Sequence, residues 1–168
     1  MRIGVISDTH MPSRSKQLPQ ALVTGLSGVD LLLHAGDWTS PDVIGLLEAI
    51  APVDGVAGNN DGYDIIDRFG HKKLLTLAGR RIGIVHGHIG SRPTMENALM
   101  AFVGEETAPD VIIFGHSHIP HSELVKGILM FNPGSPTDKR FQPRYSYGII
   151  DISSSGVHAE HYFFDSKQ

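Results

Sequence analysis

Arg2-Ile3-Gly4-Val5-Ile6-Ser7-Asp8-Thr9-His10 opens the chain, and its reading decides the fold. Ile3, Val5 and Ile6 make a short apolar run of the kind that forms a buried strand. The run stops on two residues that bind metals. On an extended chain alternate side chains share a face, so Asp8 and His10 can reach one ion.

The same arrangement recurs four times. Leu31-Leu32-Leu33 leads into Gly36-Asp37, and Val53 to Ala57 leads into Gly58-Asn59-Asn60-Asp61. A run beginning at Arg81 ends in His86-Gly87-His88, and Val111 to Phe114 ends in Gly115-His116-Ser117-His118. These strand ends supply Asp, Asn and His but no Cys, which points to a hard-to-borderline metal centre suited to hydrolysis. Turns favour Asp, Asn and Gly, but not His at this density. The glycines beside the ligand residues allow tight turns and close backbone approach.

Helical patterns separate the first strands. Leu18, Ala21, Leu22 and Leu26 share one face, and Ser40-Pro41 starts a helix carrying Val43, Ile44, Leu46, Leu47 and Ile50. Strand, helix, strand, helix, strand predicts a parallel sheet with helices packed on it. Such sheets place functional crevices beyond the carboxyl ends of their strands, where the ligand residues fall. Lys73 to Leu77 and Arg81 to His86 flank a hairpin turn, and a helix is expected over 94–106. From Ser122 onward the pattern is mainly strands, expected to form a mixed sheet layer packed on the first half. There is no internal repeat or linker, so residues 1–168 are expected to form one domain.

Composition narrows the function. The chain has 168 residues, 40% hydrophobic and 19% charged, an ordinary globular balance. No cysteine is present, which excludes disulfides and thiolate metal sites. A net charge of −4 argues against stable nucleic-acid binding. No apolar stretch approaches the roughly 20 residues needed to span a bilayer. The N-terminus lacks a signal-peptide pattern, so a cytoplasmic protein without membrane contact is expected.

Two ions need a bridge, and a carboxylate such as Asp37 can span a pair about 3.5–4 Å apart. The other donors then divide into two half-sites, leaving positions for a bridging hydroxide and a small phosphorylated substrate. Mixed N/O donors suit two divalent ions, with manganese the first expectation and iron, zinc, nickel or cobalt also compatible. Natural substrate, homo-oligomerisation and the metal used in the cell are left open by these motifs.

In order and spacing, the five clusters resemble those of the calcineurin-like metallophosphoesterase superfamily, and of its small bacterial and archaeal phosphodiesterases in particular. The resemblance covers almost the whole chain and includes Asn132-Pro133-Gly134-Ser135 after the histidine clusters. It implies an α/β fold, a four-layer αββα sandwich of two mixed sheets flanked by helices. It also implies a two-metal phosphodiesterase in which a bridging hydroxide attacks phosphorus. By position, one metal takes Asp8, His10, Asp37 and His118, and the other takes Asp37, Asn59, His86 and His116. Classical members follow the ligand asparagine with a histidine, where this chain has Asn60 and then Asp61. Asn60 can donate a hydrogen bond but cannot serve as a general acid near neutral pH. The small phosphodiesterases commonly lack that histidine. Asn60 and His88 are therefore the expected substrate or transition-state contacts.

Blander roles are expected elsewhere. His34 is read as packing or supporting the ligands, and Asp61 as orienting the Asn59 loop. His71, His158 and His161 are read as ordinary surface or strand histidines, and His121 and Arg92 as solvated loop residues. Asn132 to Ser135 is expected to make a turn that bonds a ligand histidine. A rival reading keeps the fold without the chemistry, since the resemblance also reaches a eukaryotic retromer subunit, a protein-interaction scaffold. Retention of Asp37, His10, Asn59, His86, His116 and His118 argues against it.

Overall fold

A computed structural model describes residues 1–168. The first sheet is built from β1 (Arg2–Ile6), β2 (Leu31–His34), β3 (Val53–Gly55), β9 (Tyr145–Ser153) and β10 (Gly156–Phe164), in the order β10-β9-β1-β2-β3. The second contains β4 (Lys72–Leu77), β5 (Arg80–Val85), β6 (Val111–Ile113), β7 (His121–Val125) and β8 (Ile128–Asn132), in the order β4-β5-β6-β8-β7. β1 runs parallel to β2 and antiparallel to β9, and β5 and β8 both run parallel to β6. Both sheets are therefore mixed.

Alternation along the strands divides the core. Ile3, Val5, Leu33, Ile82, Ile84, Ile113, Phe131 and Ile150 meet between the sheets and are fully buried. Each such side chain contributes on the order of 1.5–3 kcal/mol by leaving water. The outer face of the first sheet is covered by α1 (Gln20–Gly25), α2 (Asp42–Glu48) and α3 (Tyr63–Phe69), through Leu22, Leu47, Ile65 and Phe69 among others. α4 (Thr94–Met100) covers the second sheet, with Ala98 against Ile112 and Met130. The result is the expected four-layer αββα sandwich. No helix is long and apolar enough to cross a membrane.

Two expectations need correction, and one element was not expected. The C-terminal strands do not join the second sheet. β9 pairs with β1, bringing Ile150 opposite Ile3, and so completes the first sheet. Apolar alternation gives a strand two faces but does not say which sheet it enters. The helix expected over 94–106 ends at Met100. Tighter turns then swing Phe102 onto Gly83, where a Cβ would lie only 2.7 Å from the ring. Finally, α3 has no place in the sequence reading. It is seven residues long and buries only Ile65 and Phe69, too short a stripe to establish a period.

Gly148 in β9 faces the Phe131 ring, and a Cβ there would lie 2.4 Å from the ring edge. Phe131 is fully buried between the sheets and has nowhere to move. Gly148→Ala should therefore destabilise the chain by about 1–3 kcal/mol, read as a lower midpoint in chemical denaturation. An unchanged midpoint would show that the sheets are free to separate.

Candidate metal centre

The carboxyl ends of β1 and β2 meet those of β5 and β6 at one end of the sandwich. Backbone bonds tie the loops in pairs: Asp8 N–H donates to Gly36 at 2.9 Å and Gly115 N–H to His86 at 3.0 Å. Side chains tie the pairs across the sheets. His86 Nδ1 is 2.7 Å from the Ala35 carbonyl, and His116 N–H donates to Asp8 Oδ2 at 3.0 Å.

The candidate ligand residues do not reach their common point by strand alternation. Asp8, His10, Asp37, His116 and His118 have φ of 57, 44, 62, 69 and 60°, in the left-handed region. Such conformations cost of order 1–3 kcal/mol each away from glycine. They coil the backbone beneath the site and turn both members of each pair inward. Gly36 (φ 102°) and Gly87 (φ 100°) are left-handed as well. Gly58 and Gly115 instead give room: a Cβ would meet Asp37 Oδ1 at 2.2 Å and Ser7 Oγ at 1.9 Å, respectively.

Five buried atoms have no hydrogen-bond partner here: Asp8 Oδ1, His10 Nε2, His86 Nε2, His88 Nδ1 and His118 Nε2. Four of them converge. Asp8 Oδ1 lies 3.8 Å from His10 Nε2, 3.7 Å from His86 Nε2 and 3.4 Å from His118 Nε2. Asp37 Oδ2 lies 3.4 Å from His10 Nε2 and 3.3 Å from His86 Nε2, between the two rings. Two donor groups result, Asp8–His10–His118 and Asp8–Asp37–His86. Asn59 Oδ1 and His116 Nδ1 face each other at 3.1 Å where the site opens to solvent.

The tautomers suit ligation. His86 Nδ1–H donates to Ala35 and His118 Nδ1–H to the Asp138 carbonyl, leaving each Nε2 as the ring atom aimed inward. Buried carboxylate and imidazole atoms left unpaired in this way fit a divalent cation, which would satisfy them all.

Asp37 is held on both oxygens. Asn60 donates its backbone N–H to Oδ1 and its side-chain amide to Oδ2, each at 2.8 Å. Asn60 thus grips a carboxylate in addition to any contact it makes with substrate. Asp61 orients the loop as expected, accepting N–H bonds from Asp37, Thr39 and Gly58 at 2.8 Å. His34 is buried, stacks on Trp38 at 3.9 Å and bonds Thr9 and the Gly36 N–H, a supporting role.

Asn132 departs from expectation. It bonds no candidate ligand histidine; its side-chain amide reaches the Gly115 carbonyl and Ser117 Oγ, so it holds the loop that carries His116 and His118. His161 is not a free strand histidine, since it stacks on Phe131 and bonds the Asn132 carbonyl. His71, read as ordinary, lines a cavity of about 430 Å³ beside His86, together with His88, Ile89, Arg92 and Met100. No sequence signal marks His71, because the cavity joins its loop to one distant in the chain. Ser135 and Thr137 are buried and donate to the carbonyls of Asp8 and Thr9, fastening a third loop to the first. Thr137 belongs to no motif and was not legible.

Residues 1–155 match the calcineurin-like phosphoesterase superfamily domain. The chain belongs to this superfamily. It is 40% identical to a probable metallophosphoesterase of Methanothermobacter thermautotrophicus, covering 95% of this chain and 91% of that protein. It is 31% identical to a phosphodiesterase of Methanocaldococcus jannaschii, covering 80% and 83%. Among solved structures it is similar to Entamoeba histolytica Vps29 complexed with zinc, with a TM-score of 0.75, 24% identity and coverage of 97% and 99%. That last likeness supports the fold alone.

In this member of the superfamily, burial and charge set the protonation of the site. Burial pushes His34 down to about 3 and His88 down to about 4, the latter helped by the charges of His86, His71 and His116. Both rings are neutral at pH 7. Burial also lowers His116 and His118. His86 goes the other way. Burial opposes its charge, but the contact with Asp37 and the charges of Asp8 and Asp37 raise it to about 9. Asp37 is held well below the usual range despite burial, chiefly by His86 and Asn60.

A proton on His86 therefore stands where a cation would bind. Its contribution to stability is full below the unfolded value near 6.5 and is lost as pH rises through about 9. Metal uptake must expel this proton below about pH 9, so affinity should rise with pH across that window, with about one proton released near neutrality. Calorimetry of manganese binding in buffers of different ionisation enthalpy measures that release. Uptake without proton release at pH 7 would remove His86 from the ligand set.

Proposed function

We propose that this metallophosphoesterase is a two-metal phosphodiesterase acting on small substrates. The observation that carries the reading is the convergence of four buried, unpartnered atoms from Asp8, His10, His86 and His118 beside the Asp37 carboxylate. Two divalent cations, manganese first among them, supply Lewis acidity and a water of lowered pKa when bound.

The chain's own residues do the rest. Asp8, His10 and His118 would hold one ion, and Asn59, His86 and His116 the other. Asp37 would serve both and is steadied by Asn60. His118 and His86 present their Nε2 atoms without reorganisation, because each Nδ1–H is already fixed on a carbonyl. Asn59 and His116 stand at the open side, which leaves the phosphate its entrance. His88 is neutral and presents an unpartnered nitrogen as a phosphate or leaving-group contact. The cavity beside it offers Ile89 and Met100 to one ester substituent. Asn60 stands where a protonating histidine could and cannot act as an acid, and the His88 ring is neutral at pH 7, so substrates whose leaving groups need little protonation are favoured.

The rival is a scaffold with a vestigial metal site. Metal-stripped protein should gain hydrolysis of an aryl phosphodiester when manganese is restored. Absence of both turnover and uptake with manganese, nickel, zinc or magnesium would favour the scaffold. Asp37→Asn should abolish turnover while keeping a cooperative melt, because an amide can still accept the Asn60 N–H. Asn60→Ala should cost about 10–100-fold in metal affinity or activity by freeing Asp37. Aryl diesters should be hydrolysed faster than alkyl phosphomonoesters. Equal rates would mean that a proton donor has been overlooked.

A further inference from the structure

A second hollow, of about 300 Å³, is lined by Arg14, Thr137, Asp138, Lys139, Arg140, Tyr145 and Lys167. Four of these are cations and one is an acid, in a chain whose net charge is −4. The acid is already engaged: Asp138 Oδ2 lies 3.4 Å from Arg14 Nε. Lys139 and Lys167 instead stand 5.6 and 5.7 Å from the centre of the Tyr145 ring, two ammonium groups about one aromatic surface. Arg140 is exposed and left-handed, at φ 48°. The hollow therefore carries positive charge that no protein anion neutralises.

Its position relative to the metal centre is fixed. The Asp138 carbonyl accepts from His118 Nδ1, Thr137 Oγ1 donates to the Thr9 carbonyl, and Ser135 Oγ donates to the Asp8 carbonyl. The segment bearing Lys139 and Arg140 is thus bonded directly to the loops of Asp8 and His118. A phosphoryl group at the metal centre already has the cations it needs. Lys139, Arg140 and Lys167 have no carboxylate partner, although Lys167 Nζ donates to the Arg14 carbonyl, and cations so held beside it suit a different anion on the same molecule.

We propose that this hollow is a subsite for a second phosphate, so that the preferred substrates are phosphodiesters carrying a further phosphate group, such as a nucleotide diester with a terminal phosphate. The proposal rests on the phosphodiesterase reading but assigns a site outside the metal ligands. Lys139, Arg140 and Lys167 would hold the second phosphate, with Arg14 at the edge through its pairing with Asp138.

The test compares two chromogenic probes with manganese-loaded protein: the p-nitrophenyl ester of thymidine 5′-phosphate, and the same ester carrying a 3′-phosphate. The added phosphate should lower KM by about tenfold or more, as charge-assisted hydrogen bonds do, and the preference should shrink as salt is raised. In Lys139→Gln/Arg140→Asn the ratio of the two KM values should fall toward one. Asparagine is chosen at 140 because it tolerates the left-handed backbone. Calorimetric binding of thymidine 3′,5′-bisphosphate against thymidine 5′-phosphate gives the readout independent of turnover. Tighter binding of the bisphosphate, lost in the double variant, supports the subsite even if neither ester is hydrolysed; in that event the phosphodiesterase reading alone falls. Hydrolysis of both esters with equal KM, and equal binding of both nucleotides, overturns the subsite and leaves the phosphodiesterase reading standing. No binding of either nucleotide overturns the subsite too.

Discussion

Asp8 and Asp37 are carboxylates brought out of water at the junction of two sheets, and the surrounding structure is organised around keeping them charged there. Burying an ionised carboxylate is expensive unless donors or cations surround it. Asp37 receives two bonds from Asn60 and the contact with His86; Asp8 receives Ser7 Oγ and the His116 N–H. That still leaves Asp8 Oδ1 and three imidazole nitrogens without hydrogen-bond partners. Partial satisfaction of this kind is unfavourable for a merely structural network. It is what a cation site requires, because a donor already committed to hydrogen bonding is a poorer ligand.

The rest of the molecule keeps that incomplete network from relaxing. Left-handed backbone at Asp8, His10, Asp37, His116 and His118 is a local cost, sustained only because neighbouring elements over-determine it. Asn132 holds the Gly115 and Ser117 loop, Asp61 gathers three N–H groups of the Asp37 and Gly58 loops, and Ser135 and Thr137 clasp the first strand's exit. Below them the inter-sheet core fixes the strand ends, so a change such as the loss of Gly148 bears indirectly on the site. Fold and chemistry meet in the same hydrogen bonds.

Much of this was legible in the chain. Apolar runs ending in Asp, Asn or His gave the strands, their parallel start and the ligand types, because both signals are local. Asp8 and His10 meet as expected, but not through alternation along an extended strand. Alternation on an extended chain does not operate where the backbone is left-handed, and nothing in Asp-Thr-His announces that conformation. The return of β9 and β10 to the first sheet, and the placing of His71 beside His88, depend on long-range packing. Thr137 carries no motif at all, yet one hydroxyl bond makes it part of the site's frame.

Charge shows the same gap between count and arrangement. A net of −4 describes the whole chain, but the charges are not spread evenly: Asp8 and Asp37 lie inside the centre, where bound cations would offset them, while Lys139, Arg140 and Lys167 gather beside it. Removing buried, metal-matched carboxylates from consideration makes the surface seen by an approaching anion more positive than the formula implies. An anion approaching the centre would meet a mouth formed by Asn59 and His116, with an apolar cavity near His88 and a basic hollow near His118. The metals would govern reaction at phosphorus, while these two flanks would discriminate among the groups attached to it. Selectivity in such a site can change by substitution in loops that bear no metal ligand, without disturbing the strained backbone that holds the centre together.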